Sequence, residues 1–201
     1  NLKEIHADKA NVSPEHQYVG FDAYKKVLAS GVDVVVLATP PGFRPLHLEA
    51  AVEAGKHIFF LKPAAVDGPG IRRILAAVKR AKEKNVSIVS GFCWRFHEPK
   101  RATFKKIADG AIGDVSAVYN TYNTGATYRS WKPENPQLQS AEWQLRNWPF
   151  FNWLSGDHIV EQAVHSVDMM SWAFGDKLPL NAIGTGGRQV RTAPQYGHIF
   201  D

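Results

Sequence analysis

Short apolar runs alternate with helical patterns in the first half of this chain, and this alternation constrains its fold more than any other feature. Val32–Ala38 is a continuous β-branched and apolar run, and Lys56–Phe60 is a second one. Between them, Pro45–Ala54 has its apolar residues at helical spacing. Continuous apolar runs are typical of strands that are buried on both faces of a parallel sheet. The strand–helix–strand order therefore predicts right-handed βαβ units in an α/β domain.

The same reading extends along the rest of the chain. It predicts helices at Phe21–Ser30, Pro69–Asn85, Pro99–Asp109 and Ile159–Phe174, and strands at Val86–Val89, Val115–Asn123 and Leu180–Val190. Residues 124–153 have no regular pattern, and a loop of that length in a compact domain is usually functional. The pattern changes near residues 97–113, which predicts two domains, 1–97 and 98–201.

Composition argues against several classes of protein and several kinds of binding partner. The chain has 201 residues, 44% of them apolar, and a formal charge of +5. Its basic residues follow helix faces, so we expect neither a nucleic-acid partner nor a membrane partner, and no apolar run has the roughly 18 residues of a membrane span. Cys93 is the only cysteine, which excludes a disulfide framework. The compartment stays open, with the cytoplasm as the default and an exported periplasmic form as the alternative.

The ends of the chain suggest a piece of a longer protein. The sequence has no initiating Met, opens with Asn1-Leu2-Lys3-Glu4 and stops at Ile199-Phe200-Asp201, without a terminal loop at either end. We therefore expect the native protein to contain further residues, among which an export signal could lie.

Lys62 is the first candidate for chemistry. The tripeptide Leu61-Lys62-Pro63 directly follows the strand predicted at Lys56–Phe60. In an open α/β sheet, ligands bind at the carboxyl ends of the strands, so a lysine at this point is expected to face a cleft. The alternative is a solvated lysine in an ordinary turn.

A stripe of polar residues on the last predicted helix is the second candidate. Glu161 and His165 are four residues apart and Asp168 follows three later, so all three project from one helical face. An imidazole between two carboxylates is typical of acid/base chemistry, and Asp168 could orient the ring. A divalent metal held by His158, Glu161 and His165 and a purely structural hydrogen-bonded network are the alternatives.

Two loops form a third candidate set. Thr39-Pro40-Pro41, with His47 in the helix that follows, lies at the end of one predicted strand, and Trp94-Arg95 follows another. A polar turn between a strand and a helix can approach a cofactor, although composition alone favours ordinary loops.

Taken together, these residues resemble the glucose–fructose oxidoreductase, inositol dehydrogenase and rhizopine-catabolism (Gfo/Idh/MocA) family. The resemblance rests on runs that keep the family's order and spacing over most of the chain: Ala38-Thr39-Pro40-Pro41 with His47, Glu53–His57 running into Lys62-Pro63, Gly110–Asp114, and Glu161-x-x-x-His165-x-x-Asp168 ending near Gly175. It implies a Rossmann domain that binds NAD or NADP, followed by an α/β domain with an open, mainly antiparallel sheet. It also implies a sugar, cyclitol or related polyol substrate, and a homo-oligomer when the protein is full length.

The resemblance also implies roles for single residues. Lys62 resembles the family's catalytic lysine, His165 its acid/base histidine, and Glu161 stands where an aspartate is common. The positions expected on the cofactor side are Thr39, Pro41, His47, Leu61, Lys62, Trp94 and Arg95. No metal is implied.

The chain departs from the family pattern in two ways. Leu61 stands where the family has glutamate in its Glu-Lys-Pro motif, and leucine can neither accept a hydrogen bond from the cofactor nor neutralise Lys62. The sequence also contains no Gly-x-Gly-x-x-Gly, and the late Gly184–Gly187 run does not open a predicted helix. We therefore expect this chain to lack the first βαβ unit and, with it, the main pyrophosphate site.

The sequence thus predicts part of an NAD(P)-dependent oxidoreductase that acts on a sugar or polyol by hydride transfer. We expect this piece alone to be inactive. Two alternatives stay open: an NAD-dependent glycosidase of the same fold family, and a non-catalytic paralogue that binds a ligand. Neither the substrate nor the choice between NAD and NADP follows from the sequence.

Overall fold

The computed structural model describes residues 2–6, 8–125 and 140–200, and it contains one parallel sheet. Its strands are β1 (Val34–Leu37), β2 (His57–Leu61) and β3 (Ile88–Gly91), in the spatial order β1-β2-β3. Val35 pairs with Ile58, which in turn pairs with Ile88, so all three carboxyl ends lie at one edge. The Rossmann-type sheet that the sequence predicts is confirmed, and each strand lies within about two residues of its predicted range.

Helices make up a large part of the rest of the described chain. The α-helices are α1 (Leu2–Ile5), α2 (Ala23–Ala29), α3 (Arg44–Glu53), α4 (Gly68–Glu83), α5 (Glu98–Ala108), α6 (Ala141–Arg146), α7 (Asn152–Ser155), α8 (Asp157–Glu161) and α9 (Val164–Ala173). Short 3₁₀ turns occur at Pro14–His16, Pro41–Phe43, Cys93–Phe96, Trp148–Phe150 and Pro194–Tyr196. Among residues 2–6, 8–125 and 140–200, every helix is too short or too polar to span a bilayer.

The main core lies between the sheet and helices α3 and α4. Val35, Ile58 and Phe60 point into it from β1 and β2 and meet Leu48 and Val52 of α3, all with at most 6% exposure. Helix α4 adds Ile74, Ala77 and Ala81, which recur at helical spacing. Small residues on α4 let it lie close against α3, so the two helices hold β1 and β2 in register.

A second core cluster anchors the chain that carries the later helices. It consists of Trp143, Phe150, Phe151, Leu154 and Ile199. Phe43, in the 3₁₀ turn after β1, packs against this cluster. The contact fixes α7, and with it the start of α8, beside the carboxyl end of β1.

Several sequence predictions are wrong. The strands predicted at Val115–Asn123 and Leu180–Val190 are not formed, because within the described residues neither segment has a partner strand; Tyr119 and Leu180 are fully exposed. Strand β1 is not buried on both faces, since Val34 and Val36 are 58% and 66% exposed. The antiparallel sheet implied for residues 98–201 therefore has no strand among the described residues. The domain division at residue 97 stays a prediction.

The long irregular loop and the final helix also need correction. Residues 126–139 lie outside the described residues, but residues 140–153 form α6, a 3₁₀ turn and the start of α7. The helix predicted at Ile159–Phe174 is divided into α8 and α9 at Gln162 and Ala163. Here the amide of Ala163 donates to the carbonyl of His158, five residues back, so the regular ladder is interrupted.

Gly42 provides a test of the contact between the sheet and α7. A Cβ at Gly42 would overlap the carbonyl oxygen of Trp153 and lie 3.1 Å from the Cα of Leu154. Both are backbone atoms that cannot move alone, so we expect Gly42→Ala to lower the free energy of unfolding by about 1–3 kcal/mol. The matched control is Gly68→Ala, whose Cβ meets only the flexible guanidinium of Arg72 at 3.5 Å. Urea titration of both variants checks this, and equal midpoints would contradict the close contact.

Candidate active site at the carboxyl edge of the sheet

A cavity of about 290 Å³ opens at the carboxyl ends of β1, β2 and β3. The chain segments that form it come from both halves of the sequence. It is lined by Ala38, Thr39, Pro41, Arg44, Leu61, Lys62, Gly91, Cys93, Trp148, Glu161 and His165. The structure thus brings together six of the residues that the sequence singles out: Thr39, Pro41, Leu61, Lys62, Glu161 and His165.

Lys62 is held in this cavity by one residue of α8. Its Nζ lies 2.8 Å from the Oε1 of Glu161, and it also donates a hydrogen bond to the main-chain carbonyl of Glu161. Both side chains are largely buried, at 16% and 11% exposure. Lys62 follows β2 directly, so the parallel sheet places it at this edge, as the sequence predicts.

The break between α8 and α9 makes the Glu161 carbonyl available to Lys62. In a continuous helix, the amide of His165 would donate to the carbonyl of Glu161, four residues earlier. Here the amide of His165 donates instead to the carbonyl of Gln162, at 3.3 Å. Lys62 thus donates to a carbonyl that would accept the amide of His165 in a regular helix.

His165 lines the same cavity from the first turn of α9. Its ring lies 4.9 Å from that of Trp94 and 6.3 Å from that of Phe92, centroid to centroid. Burial lowers the pKa of the imidazole below its usual 6.5, and the positive charge of Lys62 lowers it further, against smaller opposing effects of Glu161 and Asp168. Its buried Nδ1 has no hydrogen-bond partner in the described structure. A neutral imidazole at neutral pH can accept a proton.

Asp168 does not orient His165, contrary to the sequence prediction. Both of its carboxylate oxygens accept hydrogen bonds from Arg95 instead, at 2.9–3.1 Å. Neither Arg95 nor Trp94 lines the cavity. Trp94 packs against His165, which does line it. The reason is local, because α9 turns Asp168 towards the loop after β3, where Arg95 meets it.

His47 also lies away from the cavity. Its Nδ1 is 3.1 Å from the Oγ1 of Thr39, and its ring packs 4.6 Å from that of Tyr24 and 5.9 Å from that of Phe43. Burial lowers the pKa of His47, with a further contribution from the charge of Arg44. His47 therefore reaches the cavity only through Thr39.

Arg44 is a site residue that the sequence reasoning missed. It is 1% exposed, and its Nη1 donates to the carbonyls of Leu37 and Leu61 at 2.5 and 2.8 Å. Its Nη2 donates to the carbonyl of Thr39 at 2.8 Å. Burial lowers the pKa of Arg44 to about 10, so the guanidinium keeps its charge at neutral pH. It ties together the ends of β1 and β2.

The position of Arg44 in the sequence does contain a signal. Arg44 is the first residue of α3, where the helix dipole disfavours a cation. An arginine at that position needs acceptors from elsewhere, and here the carbonyls at the ends of the two strands supply them. Trp148, another lining residue that the sequence does not single out, has no comparable signal.

His158, Glu161 and His165 do not form the metal site that the sequence leaves open as an alternative. Among residues 2–6, 8–125 and 140–200, no three His, Cys, Asp or Glu side chains are grouped so that they could hold a metal ion. Glu161 is engaged by Lys62, which occupies the position that a cation would need. The arrangement instead combines a charged ammonium, a carboxylate that holds it, and a neutral imidazole.

Comparisons with known proteins agree with this architecture. Residues 3–92 match a family described as an oxidoreductase family with an NAD-binding Rossmann fold. The chain is 25% identical over 195 residues to 2,7-anhydro-N-acetylneuraminate hydratase of Escherichia coli, covering 95% of this chain and 46% of that protein. It is 31% identical over 137 residues to inositol 2-dehydrogenase 1 of Saccharopolyspora erythraea, covering 68% and 39%.

A solved structure shows the same fold. The aldose-aldose oxidoreductase of Caulobacter crescentus superposes with a TM-score of 0.67 at 19% identity, covering all of this chain and 54% of that one. The chain spans less than half the length of both curated relatives named above.

The ion pair at the cavity gives a stability prediction. Glu161→Gln removes the charge that compensates Lys62 in a largely buried site, so we expect it to lower the free energy of unfolding by about 3 kcal/mol. Glu49→Gln is the matched control, because Glu49 pairs with Arg73 at 2.6 Å on the surface and its loss should cost about 0–1 kcal/mol. Urea unfolding of the full-length protein measures both. Equal losses would show that Glu161 does not compensate Lys62.

Proposed function

Because the chain belongs to the Gfo/Idh/MocA oxidoreductase family, with its NAD-binding Rossmann fold, we propose that it supplies the catalytic cleft of an NAD(P)-dependent dehydrogenase. The proposed substrate is a sugar, cyclitol or related polyol. The observation that carries this proposal is the group formed by Lys62, Glu161 and His165 around one cavity at the carboxyl edge of the sheet.

The residues of the cavity fit the nicotinamide end of the cofactor. Ligands of open α/β sheets bind at this edge, and the cavity has the mixed lining of such sites, with apolar walls and few polar groups. Thr39, Pro41 and Leu61 would hold the ring from the sheet side. When bound, the nicotinamide supplies a hydride acceptor. At about 290 Å³ the cavity is small for a whole dinucleotide, so the proposal assigns only the nicotinamide end to it.

His165 is proposed to take the proton of the reacting hydroxyl. Alcohol oxidation removes a hydride from carbon and a proton from oxygen, so a base within reach of the hydroxyl is needed. The half-buried imidazole, with its lowered pKa, is in the base form at neutral pH. In the reverse direction, the protonated ring would return the proton to the alkoxide.

Lys62 is proposed to stabilise the negative charge that develops on the substrate oxygen. An ammonium in a partly buried site acts there without solvent reorganisation. Glu161 holds it through two acceptors, a carboxylate and a carbonyl, and so limits the positions that Nζ can take. Glu161 is therefore proposed to act mainly by placing Lys62.

Leu61 is proposed to contribute shape rather than charge. It is 40% exposed and lines the cavity, while its carbonyl accepts a hydrogen bond from Arg44. With no carboxylate at position 61, Glu161 is the one acidic residue among those that line the cavity.

A second candidate is sugar hydration or hydrolysis without net redox change. The likeness to the Escherichia coli hydratase over 95% of this chain favours it. An NAD-dependent glycosidase, the alternative that the sequence leaves open, is distinguished from a dehydrogenase by the same measurement. A dehydrogenase accumulates NAD(P)H in proportion to product, whereas the second candidate releases product without net cofactor reduction.

His165→Gln tests the role of the imidazole in the full-length protein. We expect kcat for polyol oxidation to fall by roughly 100- to 10,000-fold, the range for a lost general base, with a smaller change in KM. Absorbance of NAD(P)H at saturating cofactor measures it, with myo-inositol as the first substrate. The control is His97→Gln, because His97 is exposed and makes no capping bond to α5. Activity that a chelator abolishes and zinc restores would contradict the acid/base role and favour a metal.

A further inference from the structure

Every side-chain nitrogen of Arg95 donates to a carboxylate. Its Nε donates to both carboxylate oxygens of Asp168, at 3.1 and 3.0 Å, and its Nη2 donates to Oδ1 of the same residue at 2.9 Å. Nη1 and Nη2 donate to Asp176 at 3.1 and 2.6 Å. All three nitrogens are therefore bonded to carboxylates within the chain.

The flat face of the guanidinium is occupied as well. It lies over the ring of Trp172, 4.7 Å from the centroid, and that ring stacks on Phe104 of α5 at 4.2 Å. The two carboxylates raise the pKa of Arg95, so its charge is permanent. An arginine with every nitrogen and one face engaged has little capacity left for a cofactor, although the family resemblance implies a place for Arg95 on the cofactor side.

These contacts bear on His165 from two directions. Asp168 lies one turn after His165 on α9, yet its oxygens are taken by Arg95 and the Nδ1 of His165 has no partner in the described structure. Trp94, the residue before Arg95, packs on the imidazole at 4.9 Å. Because Arg95 is bound to α9, the neighbouring Trp94 is held against the ring of His165.

We propose that Arg95 is a positioning residue for His165: it withholds the Asp168 carboxylate from the imidazole and locks Trp94 against the ring. The functional meaning of this arrangement rests on the proposed function, in which His165 accepts a proton. The charged and titratable groups around His165 come from five parts of the chain. The charges of Lys62 after β2, Glu161 at the end of α8 and Asp168 on α9 act on its imidazole. The ring of Tyr122 is 6.4 Å away, and Arg95 after β3 binds Asp168.

The test is a titration of the histidine rings by NMR in the full-length protein, which does not depend on activity. The His165 signal is assigned with His165→Gln. In Arg95→Gln, the Asp168 carboxylate is released and uncompensated beside the imidazole, so the pKa of His165 should rise by on the order of one unit. The acid limb of kcat/KM should move up by the same amount if His165 is the base.

Two further variants separate positioning from general loss of structure. Asp176→Asn removes one partner of Arg95 but leaves Asp168 engaged, so the His165 titration should stay where it is. Adding Asp168→Asn to Arg95→Gln removes the released carboxylate and should reverse the rise, although the structural contacts remain lost.

Other results would overturn the proposal. An unchanged His165 titration in Arg95→Gln would do so, as would a loss of NAD(P) affinity of tenfold or more without any shift, which would restore Arg95 to the cofactor site. If Arg95→Gln does not fold, the single variant Asp168→Asn decides. It should change the pKa of His165 only slightly, because Arg95 already neutralises Asp168. A fall of a full unit in the pKa of His165 would mean that Asp168 acts directly on the imidazole. If the NMR shifts occur but the rate profile does not follow, the positioning stands and the proposed function fails.

Discussion

The bond between the ammonium of Lys62 and Glu161 is the interaction on which the cavity depends. It joins positions 99 residues apart, one at the end of a parallel strand and one at the end of a short helix. A buried cation must be compensated, because leaving it unpaired in a site with little water is costly. The structure meets this need with a carboxylate and a carbonyl from the same residue.

The interrupted helix is the structural condition for that bond. Had residues 157–173 formed one continuous helix, the carbonyl of Glu161 would be bonded to the amide of His165. At the break at Gln162 and Ala163, the amide of His165 donates to Gln162 and the carbonyl of Glu161 accepts from Lys62; α9 then begins near His165, which faces the same cavity. Arg44 completes the frame by binding the carbonyls at the ends of β1 and β2. The polar groups of the site are thus held by main-chain atoms as much as by side chains.

Sequence reasoning could find the parallel sheet and the positions of Lys62 and His165, because both follow from periodicity and from where strands end. It could not find what depends on contacts between distant segments. Asp168 has the right spacing to orient His165, yet its carboxylate binds Arg95, and no local pattern indicates that contact. The break after Glu161 was missed because the apolar residues keep their helical spacing through it. The strands predicted after residue 114 were wrong because alternation alone does not supply a partner strand.

The central claim is that Lys62 and His165 meet the same hydroxyl of a substrate. A crystal structure of the full-length protein with NAD(P)H and a polyol such as myo-inositol tests it most directly. The predicted result is one substrate oxygen within about 2.6–3.2 Å of both the Lys62 ammonium and a ring nitrogen of His165, with Glu161 still bound to Lys62. A polyol bound away from this cavity, or a cofactor that fills it and leaves Lys62 and His165 without access to any hydroxyl, would contradict the claim.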